Sequence, residues 1–180
     1  MLGGAWKKAI AVAAATALIM AGGSAAAPSA HTRRAVSLNA LERGVLGDVN
    51  AIRRSAHLAP LTVSAGLTAA AAQHSNEMAR LGYFAHPSAD GTSFDKRIAR
   101  YFPMGRSRYW SVGENLVFAS PDLTAAQALE LWMHSPEHRQ NLLTPRWRQI
   151  GISAVHVAAA PGTFAGAPTT IITTDFGIRR

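Results

Sequence analysis

Three side chains, His86, Glu114 and His138, carry the chemistry from which a site in this chain would be built. His138 lies in the stretch Leu131-Trp132-Met133-His134-Ser135-Pro136-Glu137-His138-Arg139-Gln140-Asn141, which reads as the end of one helix, a sharp corner and the start of another. Ser135 suits the N-cap, Pro136 the first helical position, and Glu137 complements the positive end of the helix dipole, so His138 falls in the first turn. The runs Tyr83-Phe84-Ala85-His86 and Gly113-Glu114-Asn115 supply the polar groups expected to converge with it. Two neutral imidazoles and a carboxylate suit a borderline cation such as Zn²⁺ and leave a coordination position for water or substrate. The same groups also make a metal-free hydrogen-bonded network, or place Glu114 as a general base between the histidines. All three readings stand open at this point.

Other chemistry is thinner. The chain has no cysteine, which removes thiol catalysis, disulfides and a lipid-modified lipoprotein start. His134 and His138 have the spacing of a helical zinc pair, but Pro136 lies between them and no glutamate occupies the position after the first histidine that a metalloprotease helix needs. There is no Gly-x-Ser-x-Gly elbow and no phosphate-binding glycine loop. His74 sits on or beside an apolar helix face and reads as a core histidine with a satisfied hydrogen bond.

The elements that must position these groups follow from periodicity. Leu38, Leu41, Val45, Val49 and Ile52 form one apolar stripe, so a first helix is expected after Ser37, with Asn50 and Arg53 beside the stripe and Leu61 tucked inward. A second helix capped by Ser64 runs through Leu67, Ala70, Ala71, His74 and Met78 to about Leu81, with Gly82 as its stop. Tyr83 to Val112 reads as irregular, broken by an Asp90-Gly91 turn and a short helix from Ser93 to Tyr101, with Tyr101, Phe102, Tyr109 and Trp110 as core filler. A further helix starts near Leu123, and a short one after the Ser-Pro corner reaches Leu143. Ile150 to Val157 and Thr169 to Phe176 read as an antiparallel strand pair around a Gly/Pro loop from Ala158 to Pro168, with Leu116 to Ala119 as the third strand. Helices first and strands last, without βαβ alternation, indicate an α+β layered domain.

The N-terminus reads differently. Lys7 and Lys8 precede an apolar run from Ala9 to Met20, interrupted only by Thr16, and Ala21 to Ala30 is rich in small residues. That is the pattern of a secretory signal peptide over residues 1–30, and the run is too short for a spanning helix. Residues 31–37 read as a flexible lead-in and 38–180 as a single domain. Removing 1–30 takes away Lys7 and Lys8 and no acid, so the net charge falls from +8 to +6. A basic exported domain tends to sit on anionic envelope polymers or phospholipid head groups. The arginines are scattered with no aromatic-interleaved basic motif, so nucleic acid is not an expected partner, and no transmembrane segment is expected once the signal is cleaved.

The motifs Asn50-x-x-Arg53, His74-x-x-x-Met78-Ala79, Phe84-x-His86, Asp90-Gly91-x-x-Phe94-x-x-Arg97, Gly113-Glu114-Asn115, Trp132-x-x-Ser135-Pro136-x-His138-Arg139-x-Asn141-Leu142, Ile150-Gly151 and Asp175-Phe176-Gly177 occur in order. Together they resemble the bacterial branch of the CAP superfamily, the SCP domains related to cysteine-rich secretory proteins, antigen-five allergens and plant pathogenesis-related proteins. The resemblance implies an α-β-α sandwich with a small antiparallel sheet flanked by helices, and a surface cleft lined by two histidines and acidic residues. It matches His86 and His138 to the family histidines and Glu114 to the family glutamate, as metal ligands or, in an enzyme, as catalytic groups. Ser135 stands where animal and plant relatives carry a second glutamate, as it does in bacterial relatives. Glu137 is read as a dipole-complementing surface residue. Some relatives hold zinc in this cleft, so weak or transient Zn²⁺ binding is an expectation. Two function classes follow: a secreted or envelope-associated module that binds lipid or anionic envelope ligands, which is preferred, and a metal-dependent, protease-like hydrolase using the His/Glu cleft.

Overall fold

The computed structural model describes residues 36–180. The expected signal peptide and most of the expected lead-in lie outside the described residues. The fold is α+β, an α-β-α sandwich about a four-stranded sheet of order β1-β3-β4-β2. In chain order the elements are α1 (Ala40–Ser55), β1 (Thr62–Val63), α2 (Ala65–Leu81), α3 (Phe94–Tyr101), β2 (Trp110–Ala119), α4 (Ala125–His134), α5 (Pro136–Leu142), β3 (Gln149–Ala160) and β4 (Ala167–Arg179).

Local chemistry sets most helix ends. Helix α1 starts later than its apolar stripe suggests. Asn39 is the cap, its Oδ1 accepting from Glu42 N at 2.9 Å while Glu42 Oε2 accepts from Asn39 N at 2.8 Å. This reciprocal box satisfies two end groups at once, which Ser37 lies too far upstream to do. Helices α2 and α3 begin after Ser64 and Ser93, and Gly82, at φ 72°, closes α2 in the left-handed conformation. The side chains beside the α1 stripe work as ties. Asn50 Oδ1 accepts from Leu61 N at 2.7 Å and its Nδ2 donates to Leu61 O at 3.0 Å, so Leu61 is held inward. Fully buried Arg53 donates from Nη1 to Leu142 O at 2.7 Å and Thr144 O at 3.1 Å, satisfying carbonyls at the end of α5.

The sheet differs from the expected small antiparallel one in two ways. β3, β4 and β2 are antiparallel, but the two-residue β1 runs parallel to β3, pairing Thr62 with Gln149 and Val63 with Ile150. The strands also run further than propensity indicated. β2 begins at Trp110, so Gly113-Glu114-Asn115 lies within a strand, and the β3–β4 loop shrinks to residues 161–166 around a short 3₁₀ turn, Gly162–Phe164. The reason is pairing: β2 lies along β4 from Trp110↔Arg179 to Ala119↔Thr170, and a ladder overrides the weak strand preference of Gly, Glu and Asn.

Strand alternation sorts the core. Val117, Ile150, Ile152, Ile172, Phe176 and Ile178 face α1, α4 and α5, packing with Val49, Trp132, Leu142 and Trp147. On the other face Val112 packs with Leu67, Phe94, Ile98 and Phe102, and Leu116 and Ile171 pack with Met78 and Phe164. Of the expected aromatic filler, Phe102 is buried, Tyr109 and Trp110 are half-buried and Tyr101 is 41% exposed, because it lies on the outer side of the last turn of α3.

Candidate functional site

Glu114 lies at the middle of β2, an edge strand, and its side chain projects toward α2 and α3. That direction follows from the register. Glu114 pairs with Asp175 on β4, Asp175 pairs with Gly151 on β3, and a Cβ on Gly151 would meet the α2 backbone at Leu67 and Thr68. Neighbouring Gly113 and Asn115 therefore face the α5 layer, where a Cβ on Gly113 would stand 2.6 Å from Asn141 Oδ1. One tripeptide thus serves both layers.

On the α2/α3 side, both carboxylate oxygens of Glu114 are taken. His86 Nδ1 donates to Oε1 at 2.7 Å, and Arg97 Nη2 donates to Oε2. Arg97 is fully buried and also donates from Nη1 to His86 O at 2.9 Å and Ser88 Oγ at 3.2 Å, so one guanidinium fixes the glutamate and the loop that carries the histidine. His74, a core histidine as expected, donates from Nε2 to Ala85 O at 2.8 Å and holds the same loop from α2. Burial acts to raise the Glu114 carboxyl, but the His86 hydrogen bond and the Arg97 charge outweigh it, and its pKa lies below the usual value.

Asp175 is the counterpart. It is completely buried and neither of its oxygens accepts a hydrogen bond from a protein donor. Burial, and then the charge of Glu114 directly across the strands, raise its pKa well above the ordinary range. Of the two carboxyls, Asp175 is thus driven toward its protonated form and Glu114 toward the charged form that faces Arg97.

On the other face, Asn115 Nδ2 donates to His138 O at 3.1 Å, and Asn141 Nδ2 donates to Asn115 Oδ1 at 2.9 Å and Glu114 O at 3.2 Å. These bonds dock α5 on β2 and set His138 at the sheet edge. Its side chain is buried, and Nε2 has no hydrogen-bond partner. Burial first, then the nearby His86, lower the His138 pKa to about 4, so at neutral pH it is an uncharged imidazole. The structure thus brings His86, Glu114 and His138 to one stretch of edge strand, the two histidines arriving from opposite layers. Among the described residues no three His, Cys, Asp or Glu side chains form a group able to hold a metal ion, and the Glu114 oxygens are taken by His86 and Arg97.

One expectation about the corner changes. Ser135 occupies the N-cap position of α5, but its hydroxyl is buried and makes no capping bond; Pro136 alone matches the helix start, needing no N–H partner there. His134 ends α4 with Nδ1 near Glu130 O at 2.8 Å, and with Met133, Pro136, Arg139, Gln140 and Leu143 it lines an open depression of about 410 Å³ that none of His86, Glu114 and His138 lines.

Arg97 and Asp175 were not singled out from the sequence as partners of Glu114, although both had a signal. Arg97 shares the buried stripe of α3 with Phe94 and Ile98, and Asp175 interrupts a β-branched strand. A charge on an otherwise buried face demands a partner.

The neutral state of His138 has a measurable consequence. A histidine with depressed folded pKa contributes stability that is present above about pH 6.5 and lost as pH falls toward about 4. In chelator-containing buffer, the step from pH 7 to pH 4.5 is expected to cost about 2 kcal/mol through this residue. Urea unfolding should show that His138→Gln removes about that much of the wild-type difference. An unchanged difference would mean that His138 is not held neutral.

Comparison with known proteins adds the following. The profile of the cysteine-rich secretory protein family, CAP, matches residues 46–165. The protein YkwD of Bacillus subtilis (strain 168), described as uncharacterized, is 32% identical over 120 residues, covering 66% of this chain and 44% of its own length. The chain therefore spans less than half of that relative. Among solved structures, an extracellular protein containing an SCP domain from Bacillus anthracis str. Ames is 24% identical with a TM-score of 0.58, over 77% of this chain and 40% of that one. An outer surface protein from Borrelia burgdorferi is 17% identical with a TM-score of 0.58, over 77% of this chain and 92% of its own. No helix among the described residues is long and apolar enough to cross a membrane.

Proposed function

The chain belongs to the cysteine-rich secretory protein (CAP) family, and from that premise we propose that it is an exported binding domain acting at the envelope or outside the cell, on lipid or anionic envelope ligands. The observation that carries this reading is the state of Glu114. A general base must be able to take a proton from a reacting group. Here one carboxylate oxygen is held by His86 and the other by Arg97, and the adjacent Asp175 is buried with its carboxyl pushed toward the protonated form. The carboxylates serve to build the site, and what they hold in place are imidazoles.

Those imidazoles suit recognition. His138 is neutral with an unpartnered Nε2, and Glu114 fixes the orientation of the His86 ring through Nδ1. A divalent cation such as Zn²⁺ would be held by His86 and His138, with Glu114 as the carboxylate behind a histidine ligand. Zinc would bring Lewis acidity to the sheet edge. The chain's own part is to hold both rings rigid, keep His138 uncharged and hold a negative charge behind His86. With two protein donors and no free carboxylate, weak binding is the expectation. Relatives described as extracellular and outer surface proteins, together with the signal-like residues 1–30, support action outside the cell.

The test is calorimetric titration of Zn²⁺ into the purified protein and its His86→Ala and His138→Ala variants, alongside hydrolysis of a casein and ester panel with and without zinc. We expect weak binding that both variants abolish and no hydrolysis above buffer. Hydrolysis that needs zinc and disappears in His138→Ala would overturn the binding reading in favour of a metal-dependent hydrolase.

A further inference from the structure

The end of the sheet where β4 finishes carries a concentration of arginine that the histidine site does not use. Arg179 and Arg180 close the chain on β4, Arg106 and Arg108 lead into its partner β2, and Arg146 and Arg148 lead into its other partner β3. The register puts all three segments at the same end: Trp110 pairs with Arg179, Gln149 pairs with Gly177, and Tyr109 and Arg180 exchange backbone bonds at 2.8 and 3.0 Å. All six arginines are exposed.

No aspartate or glutamate stands in the sequence around them, Asp175 apart. Residues 96–113, 138–174 and 176–180 contain no aspartate or glutamate. No ion pair of these arginines is found among the described residues, where the carboxylates in salt bridges are Glu77, Glu114 and Asp122. Neighbouring elements add positive charge, since Arg54 lies in the last turn of α1 and Arg100 in that of α3. Four of the six guanidiniums are also held. Arg179 lies 4.3 Å over the Phe102 ring and donates to Pro103 O at 3.1 Å. Arg180 lies 5.2 Å over Tyr109, Arg146 lies 4.8 Å over Trp147, and Arg148 donates to Pro145 O at 2.7 Å. Stacked, planar guanidiniums lose less freedom on binding than lysines would and present paired N–H groups that match phosphate oxygens.

We propose that this arginine rim is a docking surface for a phosphate-bearing anionic polymer. Three neighbouring strands at about 4.8 Å spacing, flanked by their loops, span about 10 Å or more, enough to engage successive phosphates of one chain. A bilayer surface fits less well. Firm interfacial docking adds buried apolar side chains to charge, and the only large exposed hydrophobics among the described residues are Tyr101 and Leu81. Leu81 ends α2, while the start of that helix, at Gly66, is the part that meets Tyr101, so the two lie at opposite ends of α2. The inference rests on the proposed envelope-binding role only for the setting of the polymer; the rim and the histidine site share no residue.

The test uses long-chain inorganic polyphosphate as probe, with binding to the full chain followed by fluorescence anisotropy at 50 and 150 mM salt. The triple variant Arg106→Gln, Arg108→Gln, Arg180→Gln is compared with a charge-matched control, Arg43→Gln, Arg80→Gln, Arg139→Gln, both checked for unchanged urea midpoints. The rim variant is expected to weaken binding by about tenfold or more and flatten its salt dependence, with the control losing less than about threefold. Equal losses in the two variants would overturn the rim as a specific surface. Tighter binding to phosphatidylglycerol vesicles than to polyphosphate at equal phosphate concentration would overturn the polymer in favour of a membrane. Zinc titration of the rim variant should match wild type, which separates failure of this inference from failure of the histidine-site reading.

Discussion

Arg97→Leu is expected to destabilise the protein by about 3–5 kcal/mol, because it strands an ionised carboxylate in the core. Glu114 is 3% exposed and Arg97 is fully buried, so neither can turn to water when the other is removed. Leucine also leaves His86 O and Ser88 Oγ without the donor that holds their loop. Against a typical domain stability of about 5–15 kcal/mol, such a loss puts a large part of the margin at risk. The double variant Arg97→Leu, Glu114→Gln separates charge from packing. With the charge gone, it should recover at least about half of the loss, read as the urea midpoint followed by tryptophan fluorescence. A cost below about 1 kcal/mol for Arg97→Leu would show that the buried pair does not support the site.

The second large effect is expected at Gly151, where alanine should cost at least about 3 kcal/mol. A methyl group there would stand 2.0 Å from Leu67 C and 2.2 Å from Thr68 N. Those are backbone atoms of α2, so no side chain can rotate away and the helix must lift from the sheet. Gly151 also shares a row with Asp175 and, through it, Glu114, so the displacement reaches the carboxyl pair. The expected readout is a lowered thermal midpoint with loss of His86-dependent zinc binding. Gly47→Ala, on a helix face where an added Cβ meets nothing within 4 Å, is the control and should be neutral or slightly stabilising. A Gly151→Ala protein as stable as wild type would mean that α2 does not need this close approach.

Much of the site was legible from local signals. Ser64 and Gly82 mark helix ends through a hydrogen bond and a dihedral that span a few residues, and they hold in the structure. His74 on an apolar helix face reads as a core residue, and it is one. Asn39-x-x-Glu42 is a local capping signal that the apolar stripe beginning at Leu38 outweighed, and Glu42 also reaches across the fold, its other oxygen accepting from Ala154 N at 3.0 Å. Ser135 misled in the opposite way: a good capping residue at a capping position has its hydroxyl turned into the packed corner between α4 and α5.

The sequence by itself determined the layered α+β class, the order of the five helices and three long strands and the three polar groups of the candidate site, since these rest on periodicity, turn chemistry and ordered motifs. Tertiary structure alone decided what those groups do. Strand pairing carried Glu114 into a ladder and set Asp175 opposite it, at a sequence separation of 61 residues that no local pattern encodes. Side-chain alternation then sent Glu114 to Arg97 and His86 on one face and Asn115 to α5 and His138 on the other. Protonation followed from that placement, because an electric field and a desolvation cost exist only once distant segments are packed together. The arginine rim has the same origin, in segments scattered along the chain that the sheet gathers at one end.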